Sequence, residues 1–345
     1  MMSQKTVDVP AQAPPVAAST GLRSFAKPST ATATATAIVT VAALGALPFV
    51  ISGYHSFQLA TIMVYAIALL GLNLLTGYNG QISLGHGAFF ALGGYVAAIL
   101  STKFGVPFWL TVPLAAFIGM GVGFLFGLPA LRLGSLYLAL ATFSLALAVP
   151  QLLKWKKAEF LTGGVLGVTM QKPEVPQWLP LTQDQMLYLF TLLVAVVMFI
   201  LARNLIDSRI GRVLVAIRER PVAATSAGIN ISMVKSITFG VSVMYTSVAG
   251  ALSAWLLQYV APDSFSLMLS ITLLTGIIIG GVASLAGPVL GAIFITLVPT
   301  VAESISKSAP GLVYGVCLLL VVFLMPQGMW GAWQSIRSRY LTNRS

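Results

Sequence analysis

The chain has 345 residues, of which 57% are hydrophobic and only 8% are charged. Because a typical soluble domain carries roughly 25% charged residues, this composition excludes a soluble globular protein. The formal net charge of +11 is expected to report membrane topology and attraction to anionic lipid, and it is not assigned to nucleic-acid binding. The apolar runs are too long and continuous for the strands of a membrane barrel. The sequence therefore predicts an all-α fold, a polytopic transmembrane helical bundle.

Residues 1–35 differ in composition from the rest of the chain. They hold several prolines, part of an alternating alanine-threonine tract and few large apolar side chains, which is typical of a disordered tail. A cleaved signal peptide is the alternative, because Lys5, Arg23 and Lys27 precede an apolar stretch that begins near Ile38. The charged region is unusually long for a signal peptide, so we expect a disordered cytoplasmic tail.

Ten apolar runs have a length near the roughly 20 residues that cross a hydrocarbon core. Two joints, at 77–82 and 282–285, are tight and glycine-rich, so either can belong to a broken or re-entrant helix. The sequence therefore predicts eight to ten spans in a transmembrane domain of residues 36–335, followed by a cytoplasmic C-terminal tail of residues 336–345. The runs lie near 36–54, 57–77, 82–101, 106–127, 133–151, 185–203, 236–259, 266–282, 285–301 and 311–326.

One run inside the apolar part of the chain is unusually polar. It reads GLNLLTGYNGQISLGHGAFFALGGY, residues 71–95. Polar side chains at membrane depth are costly unless they face a protein interior or a solute path. We therefore interpret the polar members of this run as the lining of a translocation path: Asn73, Asn79, Gln81, Ser83 and His86.

The outer loop at about 152–184 is proline-rich and carries the run LTGG, with Gly163 and Gly164 providing backbone freedom. Trp155 and Trp178 are expected near the membrane interface. Two interpretations stay open for this loop. It is either a solvated connector or a docking surface for an extracytoplasmic partner.

The inner loop at 204–235 contains a second candidate site. Pro221 suits the first turn of a helix and Gly228 suits the residue just past its end, which predicts a two-turn helix in the cytoplasm. Such a short helix is marginal alone in water, so we expect another protein to hold it, with Arg218, Glu219 and Arg220 fixing its orientation. Attachment to lipid headgroups is the alternative.

Basic residues indicate the orientation, because cytoplasmic loops hold an excess of Lys and Arg. With the N-terminus inside and ten spans, most of the 19 basic residues fall on the inner side, so both termini are predicted to be cytoplasmic. The inner set is Lys5, Arg23, Lys27, Arg132, Arg203, Arg209, Arg212, Arg218, Arg220, Lys235, Arg337, Arg339 and Arg344. The outer set is Lys103, Lys154, Lys156, Lys157, Lys172 and Lys307.

Glycines at four-residue spacing predict close helix packing, because lipid gives helices no hydrophobic drive to associate. They are Gly119, Gly123 and Gly127, Gly276 with Gly280, and Gly287 with Gly291.

Several chemistries are missing from the sequence. No Asp or Glu falls in the middle of a predicted span, which argues against an ion-coupled carrier, and no phosphate-binding loop is present, so any ATPase is another polypeptide. Ser83 and His86 lack the G-x-S-x-G elbow, a third acid and metal ligands. The lone Cys317 excludes an internal disulfide framework. We predict a protein that is not an enzyme, with no catalytic residue, metal site or cofactor of its own.

Residues 71–95 resemble the signature of the membrane permeases of branched-chain amino acid ABC importers, of the LivM type. The run AIRERPVAATSAGIN at 216–230 resembles the cytoplasmic coupling loop of the same family, and GGVASLAGPVLGA at 280–292 resembles its later glycine-rich segment. The resemblance implies an ABC importer permease fold in a bacterial inner membrane. Residues Arg218, Glu219, Ala223, Ala224 and Gly228 match the family's loop, whereas Pro221 and Thr225 depart from its commoner residues.

The resemblance also implies partners: a second related permease subunit, two ATPase subunits that bind ATP, and an extracytoplasmic substrate-binding protein. In this assembly the short inner helix would sit in a cleft of the ATPase. The expected cargo is a branched-chain or related hydrophobic amino acid, and urea, short amides or aromatic acids are alternatives within the family. A stand-alone channel or carrier for a small neutral solute, which needs no ATPase, is the competing class.

Overall fold

The computed structural model describes residues 30–130, 135–175, 180–305, 310–325 and 328–342. Within them, residues 30–43 belong to one compact unit and the residues from Leu44 onward to a second. Fourteen α-helices follow one another along the described chain: α1 (Thr30–Ala46), α2 (Gly53–Leu72), α3 (His86–Phe104), α4 (Phe108–Ala130), α5 (Ser135–Leu153), α6 (Glu159–Thr162), α7 (Gln183–Asp207), α8 (Arg209–Glu219), α9 (Pro221–Ser226), α10 (Ile231–Leu257), α11 (Leu267–Gly280), α12 (Gly287–Ile305), α13 (Pro310–Leu324) and α14 (Gly328–Thr342).

Short elements connect some of these helices. Two-residue strands, β1 (Val168–Thr169) and β2 (Tyr259–Val260), pair in antiparallel register with Val168 opposite Val260. A π-helical segment, Asn73–Tyr78, continues α2. Short 3-10 helices lie at Leu47–Phe49, Lys156–Ala158 and Pro262–Phe265.

The predicted polytopic helical fold is confirmed. Among the described residues, seven helices are long and apolar enough to cross a membrane, and the count is eight if Tyr137–Leu153 and Lys156–Thr162, which are bent by 64°, form one span. Eight is the lower end of the predicted range. The predicted runs at 36–54 and 311–326 correspond to shorter helices, Ile38–Phe49 and α13. The seven spans are Gly53–Tyr78, His86–Phe104, Phe108–Leu128, Gln183–Asp207, Ile231–Leu257, Pro262–Gly280 and Gly287–Ser304.

Helix α10 is the most buried of the seven spans and packs against α2, α3 and α4. Its closest approach is to α3, where a Cβ atom at Gly93 would overlap the backbone of Ser247, and one at Gly250 would overlap the backbone of Phe90. Small residues allow such backbone contact between helices in lipid. On α4, Gly119, Gly123 and Gly127 all face α10.

Helices α11 and α12 also approach closely through glycine. A Cβ atom at Gly280 would overlap the backbone of Gly287, and one at Gly291 would overlap the backbone of Gly276. The glycines that the spacing singled out therefore lie at helix contacts in both places. Gly121, which is outside that spacing, has open space around it.

The first part of the outer loop is fixed against the segment after α10. Besides the β1–β2 pairing, the Met170 backbone N–H donates to the Gln258 carbonyl at 2.8 Å. The Lys154 ammonium pairs with the Asp263 carboxylate at 2.5 Å. Trp155 is exposed, and Trp178 lies outside the described residues. Of the predicted tail at 1–35, residues 1–29 also lie outside them, whereas residues 30–35 belong to α1. Of the predicted C-terminal tail at 336–345, residues 336–342 belong to α14 and the last three lie outside the described residues.

Candidate functional site

The polar run identified in the sequence forms a break between two membrane helices. Helix α2 loosens into the π-helical segment Asn73–Tyr78, residues 79–85 have no regular helix, and α3 begins at His86. The predicted span at 82–101 therefore starts four residues later than expected. π-helical turns within helices are frequent at functional sites. We call residues 73–85 the first break. All five polar residues predicted to line a path lie at this break or next to it, each no more than 5% exposed.

A second break lies between α11 and α12, at residues 281–286, and the Asn73 side chain joins it to the first. The Asn73 Nδ2 donates to the Ser284 carbonyl at 2.7 Å, and the Asn73 Oδ1 accepts from the Ala283 backbone N–H at 2.9 Å. Gly77 completes this contact, because a Cβ atom there would overlap both Asn73 Oδ1 and the Ala283 backbone. The two glycine-rich joints noted in the sequence therefore touch each other.

His86 is fully buried and both of its ring nitrogens have partners. Its Nδ1 lies 2.9 Å from the Ser83 hydroxyl, and its Nε2 lies 2.8 Å from the Ser242 hydroxyl. The Ser242 hydroxyl donates its one hydrogen to the Gly71 carbonyl at 2.6 Å, so it can only accept from His86. A neutral imidazole with its hydrogen on Nε2 satisfies this pattern. His86 thus fastens the start of α3 to α10 and, through Ser242, to α2.

The first turn of α3 is buried, so its free backbone N–H groups need partners. A hydroxyl from another helix supplies one partner in this turn, and a second hydroxyl binds the Leu84 N–H in the break just before it. The Thr142 Oγ1 of α5 accepts from the Leu84 N–H at 3.0 Å, and the Ser270 Oγ of α11 accepts from the Gly87 N–H at 2.9 Å. Sequence reasoning missed both residues and Ser242, since an isolated Ser or Thr in an apolar span gives only a weak signal.

Asn79 and Gln81 are buried but incompletely hydrogen-bonded. Among the described residues, neither amide atom of Asn79 nor the Oε1 of Gln81 has a hydrogen-bond partner. The backbone around them is fixed, because the Gln81 N–H donates to the Leu75 carbonyl at 3.1 Å and the Gln81 carbonyl accepts from the Thr76 hydroxyl at 3.0 Å. Buried polar groups are nearly always paired in native proteins. These amides therefore stand out as the unpaired buried polar side-chain groups of the first break among the described residues.

The predicted two-turn helix in the inner loop is α9, which begins at Pro221 and ends at Ser226. Gly228 follows it with φ +81°, and the Ile229 N–H reaches back to the Ala224 carbonyl at 3.1 Å. Helix α8, capped by the Ser208 hydroxyl, precedes α9 and was not predicted. On α9 Ala224 is buried whereas Val222 is 80% exposed.

The other residues predicted to contact an ATPase differ in what their side chains contact. Glu219, Ala223 and Gly228 are exposed. Arg218 is also largely exposed, but its Nη1 donates to the carbonyl of Gly77 in the first break. The inner loop and the first break are therefore in direct contact at one end of the bundle.

A polar cavity of about 390 Å³ opens beside the two breaks. Tyr78 of the first break lines one side of it. The second break and the start of α14 supply the rest of its lining, which includes Ser284, Trp330 and Gln334. The position of this cavity could not be read from the sequence, because its lining comes from segments far apart in the chain.

Comparison with known proteins places the chain in a transport context. The family model described as the permease component of the branched-chain amino acid transport system matches residues 54–325. The high-affinity branched-chain amino acid transport system permease protein LivM of Salmonella typhimurium is 29% identical over 308 residues, which cover 82% of this chain and 72% of the relative. LivM of Escherichia coli gives the same identity and coverage. LivH of Salmonella typhimurium is 23% identical over 286 residues, 77% of this chain and 91% of the relative. No solved structure matches the chain.

Proposed function

The chain belongs to the family of branched-chain amino acid transport system permease components, and from that premise we propose that it forms the translocation path for branched-chain or related hydrophobic amino acids in an ABC importer. It is a multi-pass membrane protein and a transport subunit. The observation that carries the proposal is the buried polar break at residues 73–85, which interrupts an otherwise apolar bundle within the matched region. Uncharged donors and acceptors there suit a zwitterion that must pass without being held tightly.

The proposed assembly contains a second, related permease subunit, two ATPase subunits and an extracytoplasmic substrate-binding protein. The chain resembles both LivM and LivH, two permease proteins whose names give the same transport system, which supports a pair of related permeases. ATP is bound by the ATPase subunits, and this chain carries no cofactor. The exposed residues of α9 support an ATPase contact, because so short a helix needs a partner.

The proposed location is a bacterial inner membrane with both termini in the cytoplasm. Helices α8 and α9, with Arg209, Arg212, Arg218 and Arg220 in or beside them, lie at the same end of the bundle as the first break. This supports a cytoplasmic position for that end, since basic residues concentrate inside. The first break then lies at the cytoplasmic end of the path.

The outer loop supports the docking interpretation. Its backbone is fixed by β1 and by the Lys154–Asp263 ion pair, yet it presents Phe160 at 70% and Leu166 at 84% exposure. Apolar side chains on a fixed extracytoplasmic surface suit a protein partner, and the partner we propose is the substrate-binding protein.

The five path residues have two roles in this proposal. Asn79 and Gln81 offer amide groups to the solute, whereas Asn73, Ser83 and His86 hold the break in shape through hydrogen bonds. Substitutions distinguish the two sets. A change in the first set is expected to lower transport without loss of stability, and a change in the second set is expected to lower stability.

Replacing Asn79 with Leu is expected to lower uptake by about tenfold while the free energy of unfolding is kept or raised, because the lost groups bond the solute and no protein atom. Replacing His86 with Leu is expected to destabilise the protein by about 2 kcal/mol, because the Ser83 hydroxyl loses its acceptor and the Ser242 hydroxyl loses the donor that joins α3 to α10. Uptake of labelled leucine in proteoliposomes and thermal unfolding in detergent measure the two effects. If transport survives both changes, the path is assigned wrongly.

The function itself is tested by gentle affinity purification of the tagged chain from its native membrane, followed by mass spectrometry of the proteins that accompany it. Recovery of ATPase subunits and a second permease is the expected result, and the binding protein found with them can be screened against branched-chain amino acids, urea, short amides and aromatic acids. Recovery of this chain alone, still able to pass a solute in liposomes without ATP, would establish a channel or carrier instead.

A further inference from the structure

Arg218 occupies an unusual position between the coupling loop and the membrane helices. It lies in the last turn of α8, three residues before α9 begins at Pro221, and its Nη1 donates to the Gly77 carbonyl near the end of the π-helical segment. No carboxylate among the described residues forms an ion pair with it. Among the described residues, the hydrogen bond recorded for the guanidinium is to a backbone oxygen of the first break.

Local chemistry makes this contact favourable. The last carbonyls of a helix lack intrahelical partners and carry partial negative charge, so a cation is stabilised there. The stem of Arg218 also packs on Gly80, where φ is +72° and a Cβ atom would lie 3.0 Å from the Arg218 Cγ. A glycine at position 80 thus provides both the turn and the space for the arginine.

The contact continues from the first break into the second. Gly77, whose carbonyl receives Arg218, lies directly against the Asn73 side chain and the Ala283 backbone. Asn73 in turn holds Ala283 and Ser284 through two hydrogen bonds. Arg218 therefore connects the end of α8 with a carbonyl that lies against both helix breaks.

We propose that Arg218 is a positioning residue that transmits the movement of α8 and α9 to the two helix breaks through the Gly77 carbonyl. The inference rests on the proposed function, because the partner ATPase supplies the movement. It assigns Arg218 a task different from contact with the ATPase: the side chain points toward the path, and the exposed residues of α9 are left to meet the partner. Loss of this link is expected to weaken the effect of ATPase closure on the path.

The test compares variants in proteoliposomes that contain the complete transport complex. Arg218→Ala is expected to lower leucine uptake per ATP hydrolysed by about tenfold, with the subunits still assembled. Arg218→Lys keeps one cationic donor and is expected to retain uptake within about threefold of the wild type. The matched control is Arg212→Ala, which removes another exposed arginine of α8 and is expected to leave the ratio unchanged.

A second variant and a distance measurement keep the test decisive if the Arg218→Ala protein does not fold. Gly80→Asn tolerates the positive φ but places a side chain against the Arg218 stem, so it is expected to uncouple transport in the same way. Spin labels at Val222→Cys and Ile82→Cys, both exposed sites, are introduced after Cys317→Ala. Their distance distribution is expected to stay narrow through the ATP cycle in the wild-type and Arg218→Lys proteins and to broaden in the Arg218→Ala and Gly80→Asn proteins.

An unchanged ratio of uptake to hydrolysis in both Arg218→Ala and Gly80→Asn would overturn the inference. If Arg218→Ala fails to assemble, the ratio and the label distances in Gly80→Asn decide. Failure of the proposed function would look different, because no ATPase would then accompany even the wild-type chain.

Discussion

Placing a methyl group at Gly93 is expected to prevent the protein from folding. At this position α3 and α10 touch through their backbones, and a Cβ atom would overlap the carbonyl of Ser247. A backbone carbonyl inside α10 cannot rotate away as a side chain can, so the helices must separate. The expected loss is about 3 kcal/mol or more, a large fraction of the stability of a typical domain. Gly250→Ala is expected to act alike, because its Cβ would overlap the Phe90 carbonyl on the opposite face of the same crossing.

Gly121→Ala is the matched control for these variants. Gly121 lies within α4, and a Cβ atom there meets no atom within 4 Å. Alanine is also the better helix former, so stability should be kept. Size-exclusion chromatography in detergent and thermal unfolding report the difference. A Gly93→Ala protein that elutes as one peak and unfolds at the wild-type temperature would contradict the described contact between α3 and α10.

Replacing Gly228 with Pro is expected to lower uptake by about tenfold or more, while ATP hydrolysis continues. Gly228 has φ +81°, and the proline ring holds φ near −65°. Its N–H donates to the Thr225 carbonyl at 2.9 Å, a bond that proline cannot make. The end of α9 therefore changes direction, and the exposed face of that helix no longer matches its partner. The ratio of leucine imported to ATP hydrolysed measures the effect.

Gly228→Asn separates the backbone effect from the loss of glycine itself. No atom lies within 4 Å of a Cβ atom at this position, and asparagine tolerates positive φ better than other residues with a side chain. We expect near wild-type coupling in this variant. Unchanged coupling in Gly228→Pro would show that α9 does not carry the ATPase signal.

The parts of the fold that follow local rules could be predicted from the sequence. Pro221 and Gly228 gave α9 nearly to the residue, because a first-turn proline and a glycine past the helix end act within one or two turns. Length and apolar composition gave the membrane helices, since crossing a bilayer sets both. The four-residue glycine spacing indicated helix faces that do lie at contacts, because helical periodicity alone determines which residues share a face.

The rest depends on contacts between distant residues. The polarity of Asn73 and Asn79 marked the region of residues 71–95, yet only the fold shows that Asn73 is satisfied by Ala283 and Ser284, some 210 residues away, while Asn79 is not. The late start of α3 at His86 has the same origin, because hydroxyls from other helices hold the backbone there: Ser270 accepts from the Gly87 N–H of the first turn, and Thr142 accepts from the Leu84 N–H of the break. Helix α8 was not predicted, because its charged residues made this segment of the sequence look like an ordinary loop.

The place of α10 in the chain has a consequence for biosynthesis. Helices α2, α3 and α4 leave the ribosome before α10, the helix that packs against all three. Until it is inserted, the surfaces around Gly93, Gly119 and Gly123 have no protein to contact, and lipid must occupy the grooves that these glycines leave. Completion of α10 then displaces that lipid, and residues 259 and 260 become available to pair with β1 only afterwards. The nascent chain therefore cannot form its core before α10 is complete, and a ribosome that stalls before residue 231 leaves a membrane-inserted fragment whose glycine grooves are still filled by lipid.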